Sequence, residues 1–271
     1  MNGKELLAKL NNKQRVYGTA ILSSSPVWPA ALKNTGLDFV FIDTEHIPLG
    51  RESVSQMCQL YAANGFVPLV RIASPDPYEA CKTLDGGAMA ILAPYIETVD
   101  QVKALVGATK LRPLKGEKLQ AVLDDSEKIG TVLENYISER NANNLLFINV
   151  ESVPALDNLD ALLSVPGLDG VIIGPHDLSC SLEVPEDYRN PAFEKTVTTI
   201  IKKTRALGKH IGIHFSAEPD VQTKWAENGA NIIMHSSDIS LFTRQLKNDL
   251  NQIKDSLGDA RSDARQRETI V

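Results

Sequence analysis

NLLFINVESVPALDNLDALLSVPGLDGVIIGPHDLS, residues 144–179, holds two short aliphatic and β-branched runs separated by a longer segment with helical spacing. The first run, 144–152, ends in Asn149 and Glu151, and the second, 168–175, leads through Gly174 and Pro175 into His176 and Asp177. Short β-branched and aliphatic runs, each followed by a longer segment with helical spacing, are the pattern of repeated β-α units. Each closes on polar residues, so the unit reads strand, helix, strand, with chemistry collected where the strands end.

Working outward, the same pattern recurs at 15–23, 38–46, 67–73, 89–97, 210–216 and 231–238, making eight strand candidates in all. Helix candidates lie between them, including 51–64, 76–85, 98–110, 191–207 and 217–228. Eight β-α units in 271 residues predict an α/β fold, a single (β/α)8 TIM barrel, over an open doubly wound sheet. The first strand runs into ILSSSPVW with no glycine-rich turn, so the dinucleotide-binding alternative lacks its mechanical signature.

Two helical segments exceed the repeat. Before the fifth strand, Ile129, Val132, Leu133, Tyr136 and Ile137 form a stripe that predicts an extra amphipathic helix packed on the barrel or on a neighbour. The last helix carries Phe242, Leu246, Leu250, Ile253 and Leu257 on one side, and docks on its own barrel or on another subunit. The barrel domain is read as residues 1–258. The tail 259–271, DARSDARQRETIV after Gly258, is charged and poor in apolar residues, which predicts a disordered end.

Composition narrows the function. With 43% hydrophobic and 23% charged residues, a net charge of -6 and no long Lys/Arg run, the chain is an ordinary globular protein and not a binder of nucleic acid. Cys58, Cys81 and Cys180 lack the paired spacing of a zinc site or disulfide framework and read as reduced thiols. The polar start MNGKELLAKLNNKQ and the absence of a long apolar run give neither secretory signal nor membrane span, so the expected location is cytoplasmic.

In a β/α barrel the chemistry sits at the C-terminal ends of the strands. Those ends carry Asp43, Glu45 and His46, Arg71, Asn149 and Glu151, His176 and Asp177, His214, and Ser236, Ser237 and Asp238. Glu151 and Asp177 follow neighbouring strands and should converge. Two carboxylates about 4 Å apart repel by roughly 4 kcal/mol at an effective dielectric near 20, so they call for a shared proton or a cation. Hard oxygen ligands suit Mg or Mn, with Co a third candidate. Alternatively, Glu151 caps the following helix and Asp177 the turn after Gly174-Pro175. His46 is placed to move protons at neutral pH, with Asp85 as an orienting partner beside the start of the fourth strand; otherwise it is a polar loop residue. Arg71 supplies a fixed cation for a substrate carboxylate or an enolate oxygen, or else a structural ion pair. No lysine ends a strand, which argues against a Schiff-base mechanism. The loops HFSAEPD and HSSDIS lack a phosphate-binding glycine pattern.

Three segments, FIDTEHIPLG (41–50), VRIASPDPYEACKTLDGGAMAILAPYIET (70–98) and INVESVPALDNLDALLSVPGLDGVIIGPHDLS (148–179), resemble the HpcH/HpaI family of class II pyruvate aldolases across most of residues 15–250. The resemblance implies a hexamer, a trimer of dimers that exchange their last helix, using Mg, Mn or Co to hold pyruvate. It makes Glu151 and Asp177 the metal ligands, His46 and Asp85 a catalytic dyad acting through a water, and Arg71 the residue that binds the 2-oxo acid. Gly174 and Pro175 would help hold the carboxylate. The reaction implied is reversible cleavage of a 4-hydroxy-2-oxo acid to pyruvate and an aldehyde. Asn149 stands where many members carry glutamine, and Lys115-Gly116-Glu117-Lys118-Leu119 matches the family's basic loop only in part. His176, His214 and His235 add histidines expected to shape the aldehyde pocket. Other readings are oxaloacetate decarboxylation, cleavage of a CoA ester as in citrate lyase-like proteins, and a non-catalytic binding barrel.

Overall fold

A computed structural model describes residues 1–216 and 219–261. Eight parallel strands close into a barrel in sequence order: β1 (Val16–Ala20), β2 (Phe39–Asp43), β3 (Val67–Arg71), β4 (Ala90–Ala93), β5 (Leu145–Val150), β6 (Gly170–Ile173), β7 (His210–Phe215) and β8 (Ile232–Ser237). Alternation along each strand divides the core in two. Phe39, Phe41, Leu69, Leu92, Leu145, Phe147, Ile172 and Met234 fill the interior. Val40, Ile42, Val70, Ile91, Leu146, Ile148, Val171 and Ile173 pack outward under the helices. The predominance of apolar residues in β2 to β6 is thus explained, because both faces of those strands are buried.

The chain enters through a helix that the polar N-terminal segment did not announce. Gly3–Asn11 is started by a capping box between Asn2 and Glu5, and its Leu6 and Leu10 join the interior cluster and close that end of the barrel.

The extra segment before β5 departs from the expected single stripe. It forms two helices, Gly116–Leu123 and Thr131–Arg140. Gly130 is the N-cap of the second, so Ile129 lies outside it; Ile137 is buried while Val132 is 87% exposed. Ile137 and Asn141, whose amide donates to the carbonyls of Lys110 and Arg112, attach this helix to the barrel wall, while Val132 and Tyr136 are exposed and Leu133 is half-buried. In the last helix, Asp238–Leu257, only Asp238 is buried, and Phe242, Leu246, Leu250, Ile253 and Leu257 are all exposed. Within one chain, therefore, this helix leaves its barrel instead of docking on it. The tail predicted to be disordered lies, beyond Arg261, outside the described residues. No helix among the described residues is long and apolar enough to cross a membrane.

Candidate active site

The register of β2 against β3 sets Asp43 opposite Arg71. Arg71 Nε donates to Asp43 Oδ1 (2.9 Å) and Nη2 to Asp43 Oδ2 (2.7 Å), a bidentate pair buried at the barrel mouth. Glu45 Oε2 also lies 3.0 Å from Arg71 Nε. Burial opposes the Arg71 charge, but the hydrogen bonds and charge of Asp43, then the charges of Glu45 and Glu151, outweigh it and raise the guanidinium above its ordinary value. Burial likewise opposes ionisation of Asp43, and Arg71 reverses this, holding the carboxyl below its usual range. The salt bridge considered as a structural alternative is real, and among the described residues its contacts with Asp43 and Glu45 are made through Nε and Nη2.

Glu151 follows β5 and is buried. Its Oε1 accepts from the Tyr95 backbone N–H (2.8 Å). Burial pushes its carboxyl up to about 7; the Tyr95 hydrogen bond and Arg71 oppose this, and the charges of Asp177 and Glu45 add to it. The capping alternative fails for both carboxylates. Ser152, not Glu151, caps helix Val153–Asp157, and the cap of helix Pro175–Ser181 is Gly174, without a side-chain hydrogen bond. Glu151 and Asp177 thus stand close enough to raise the cost of ionising Glu151, a conflict that a divalent cation would remove. Among the described residues no three His, Cys, Asp or Glu side chains group as a metal site, so water and substrate oxygens would complete the shell.

Tyr95 is the residue sequence reasoning missed. It adopts φ +54° directly after Pro94, beyond β4. Its backbone holds Glu151, and its hydroxyl hydrogen-bonds the Glu45 carboxylate, which pushes the phenol up to about 12. A non-glycine residue in the left-handed region is uncommon, and this conformation is invisible in a sequence.

His46 is half exposed, its Nε2 3.7 Å from Glu45 Oε2. The expected His46–Asp85 dyad is not formed within one chain. Helix Pro77–Asp85 runs away from the C-terminal end of β3, so Asp85 finishes on the outer wall before β4 begins, ion-paired with Arg112. Asn149 faces the interior; its amide donates to the Ile172 carbonyl (3.2 Å), while Oδ1 is buried without a partner among the described residues. His176 sits at the rim, its Nδ1 3.6 Å from Glu186 Oε1. His235 points outward to Gln222 Oε1 (3.1 Å) and does not line the mouth. His214 does join the site: its ring meets Phe41 edge-on at 5.1 Å, and Arg71 lies 5.5 Å from the same Phe41 ring.

The model of the HpcH/HpaI aldolase/citrate lyase family matches residues 20–244, a span that contains every residue of this mouth. The chain belongs to that family. An HpcH/HpaI member named 2-keto-3-deoxy-L-rhamnonate aldolase from Klebsiella pneumoniae subsp. pneumoniae is 35% identical over 234 residues, 86% of this chain and 87% of the relative. One of the same name from Escherichia coli O157:H7 is 33% identical over the same shares. Among solved structures, an HpcH/HpaI aldolase/citrate lyase family protein from Burkholderia cenocepacia superposes with a TM-score of 0.80 at 25% identity, covering 93% of this chain and 99% of the other.

Proposed function

We propose that this HpcH/HpaI protein is a divalent-metal-dependent aldolase that cleaves a 4-hydroxy-2-oxo acid to pyruvate and an aldehyde, and runs the addition in reverse. The observation that carries the reading is Glu151, a buried carboxyl raised to about 7 beside Asp177, with Arg71 locked in place by Asp43 on the facing strand. The aldolase names of the relatives support it over the decarboxylase and CoA-ester readings.

Glu151 and Asp177 would hold Mg, Mn or Co. Such an ion, when bound, polarises the ketone of a 2-oxo acid and neutralises charge that builds on its oxygen. Arg71 presents Nη1 to the substrate carboxylate or to the enolate oxygen, without having to reorganise, because Asp43 and Glu45 already fix its plane. Gly174 and Pro175 shape the neighbouring backbone. His46, half exposed beside Glu45, moves the proton of the 4-hydroxyl through a water; general acid-base help of this kind contributes on the order of 10² to 10⁴ in rate. Asp85 can orient His46 only if it belongs to a second copy, because within one chain it faces Arg112 on the outer wall. The open apolar stripe of the last helix fits the same requirement, an assembly of copies.

Exchange of pyruvate methyl protons in deuterated water tests the half-reaction directly. Exchange should require added Mn or Mg and stop with chelator or in Glu151→Ala. Undiminished exchange in chelated protein would sink the reading.

A further inference from the structure

Between β4 and helix Val99–Lys110 the chain turns through Pro94, Tyr95, Ile96, Glu97 and Thr98. Ile96, 1% exposed, anchors the turn in the outer core. Thr98 and Gln101 then start the helix with a capping box: Thr98 Oγ1 accepts from the Gln101 N–H (3.3 Å), and Gln101 Oε1 accepts from the Thr98 N–H (2.9 Å). Glutamine and glutamate serve equally in such a box, because it needs only an acceptor oxygen at that position. Here the glutamine does more. Its Oε1 also accepts from the Glu97 N–H (2.9 Å), and its Nε2 donates to the Tyr95 carbonyl (3.2 Å). The orientation of the amide follows from these partners, since a backbone N–H only donates and a carbonyl only accepts. One side chain thus joins Tyr95, Glu97 and Thr98.

The joined turn stands behind Glu151. Tyr95 is held at φ +54°, a conformation that a non-glycine residue keeps only where its surroundings impose it. In that conformation its N–H donates to Glu151 Oε1 (2.8 Å). Its N–H is fixed on Glu151 and its carbonyl on Gln101, so the peptide groups on both sides of Tyr95 are restrained. A second strap leaves the same turn. The Glu97 carboxylate accepts from Oγ of Ser152, the residue after Glu151 (2.6 Å), and the Glu97 carbonyl accepts from the Asn158 amide (2.9 Å). Starting a helix requires no tie to the end of the next strand, whereas holding a carboxylate there does.

We infer that Gln101 is a positioning residue for Glu151: it fixes the Tyr95 turn so that the Tyr95 N–H holds Oε1 and sets the carboxylate for a divalent cation. The inference rests on the aldolase reading, in which Glu151 ligates the metal, and adds the side chain that supports the ligand from outside the mouth. Loss of a hydrogen-bonded partner behind a ligand costs roughly 10- to 100-fold in metal affinity. Gln101 acts through Tyr95, one bond further out, which places its loss at about tenfold.

Calorimetric Mn titration, paired with urea unfolding of the metal-free protein, separates positioning from capping. Gln101→Glu keeps the acceptor that the capping box needs and loses the donor to Tyr95. It should unfold at the wild-type midpoint yet bind Mn about tenfold more weakly, although an added negative charge alone would tighten binding. Thr98→Ala should show the reverse, a lower midpoint from the lost cap with Mn affinity within about twofold of wild type. Gln101→Leu loses cap and donor together without adding charge, and should show both effects. Mn affinity within about twofold of wild type in both Gln101 variants overturns the inference. A loss in Thr98→Ala equal to that in Gln101→Leu also overturns it, because Mn affinity would then follow the helix start alone. Wild-type protein that binds no Mn defeats the metal-dependent aldolase reading and the inference with it, while wild-type binding with unaffected Gln101 variants defeats only the positioning role.

Discussion

Gly174 leaves the space that Glu151 occupies: a Cβ built on Gly174 would stand 2.4 Å from Glu151 Oε2. The turn between β6 and its following helix thus shapes the carboxylate across from it, although neither residue is near the other in sequence. Gly174→Ala should push Glu151 out of line and weaken Mn binding by about 10- to 100-fold, the loss typical of removing support behind a ligand. Calorimetric titration with Mn checks this; affinity within a factor of two of wild type would show that the carboxylate is not held by this contact.

Metal binding should depend on pH through Glu151. Its carboxyl, with pKa about 7, must lose its proton to ligate, so affinity is flat above pH 7 and falls by about tenfold per unit below it. The sign reverses for stability without metal. A raised carboxyl pKa favours the folded state below the ordinary value of 4.5, and that contribution is lost as pH rises towards 7. Glu151→Gln should abolish both dependences in Mn titrations and urea unfolding run from pH 5 to 8.

Asp43 and Arg71 are both buried, at 1% and 8% exposure, so breaking the pair leaves a charge inside the barrel. Asp43→Asn should cost roughly 1–3 kcal/mol, below the 3–5 of an isolated pair because Glu45 still faces Arg71. Urea denaturation measures the change, and a loss under about 0.5 kcal/mol would contradict it.

At the opposite end of the barrel, His210 accepts at Nδ1 from Arg205 (3.2 Å) and Asn231 (3.1 Å) and donates from Nε2 to Asn11 (3.0 Å). Burial, with Arg205 and Lys209 adding, lowers its pKa to about 4. The unfolded chain therefore binds the proton first, and stability that is complete above pH 6.5 is lost as pH falls towards 4. The stability difference between wild type and His210→Asn should shrink across that window, read by thermal unfolding at matched ionic strength.

The exposed stripe of the last helix should join copies of this chain. Leu246→Asp combined with Ile253→Asp, at positions 44% and 54% exposed, should reduce a hexamer to smaller species in light scattering while leaving the circular dichroism of the barrel intact. A wild-type monomer would refute the arrangement.

The strands were legible because each is apolar on both faces, and the polar residues that end them stood out against that background. Glu151, Asp177, Arg71 and His46 could be singled out for this reason. Tyr95 could not, because what distinguishes it is a positive φ and a backbone contact with Glu151 from another strand, and Ser236 stood out only as one of several polar residues at a strand end. Asp85 stands where the sequence put it, just before β4, but which partner it reaches was not legible: within one chain it meets Arg112 and not His46. His176, His214 and His235 looked alike in sequence, and only strand register and local packing sent one to the rim, one inward and one outward.

By itself, then, the sequence determined the closed barrel and the acidic, arginine-bearing character of its mouth, since hydrophobic periodicity and residue type are local properties. The tertiary structure decided which of those groups meet. It aligned Asp43 with Arg71 through strand register, made room for Glu151 beside Gly174, and turned the Ser236 carbonyl onto His214 through a slip between β1 and β8. Such contacts depend on closing the sheet upon itself, which brings the first strand against the last and sets distant residues within hydrogen-bonding reach.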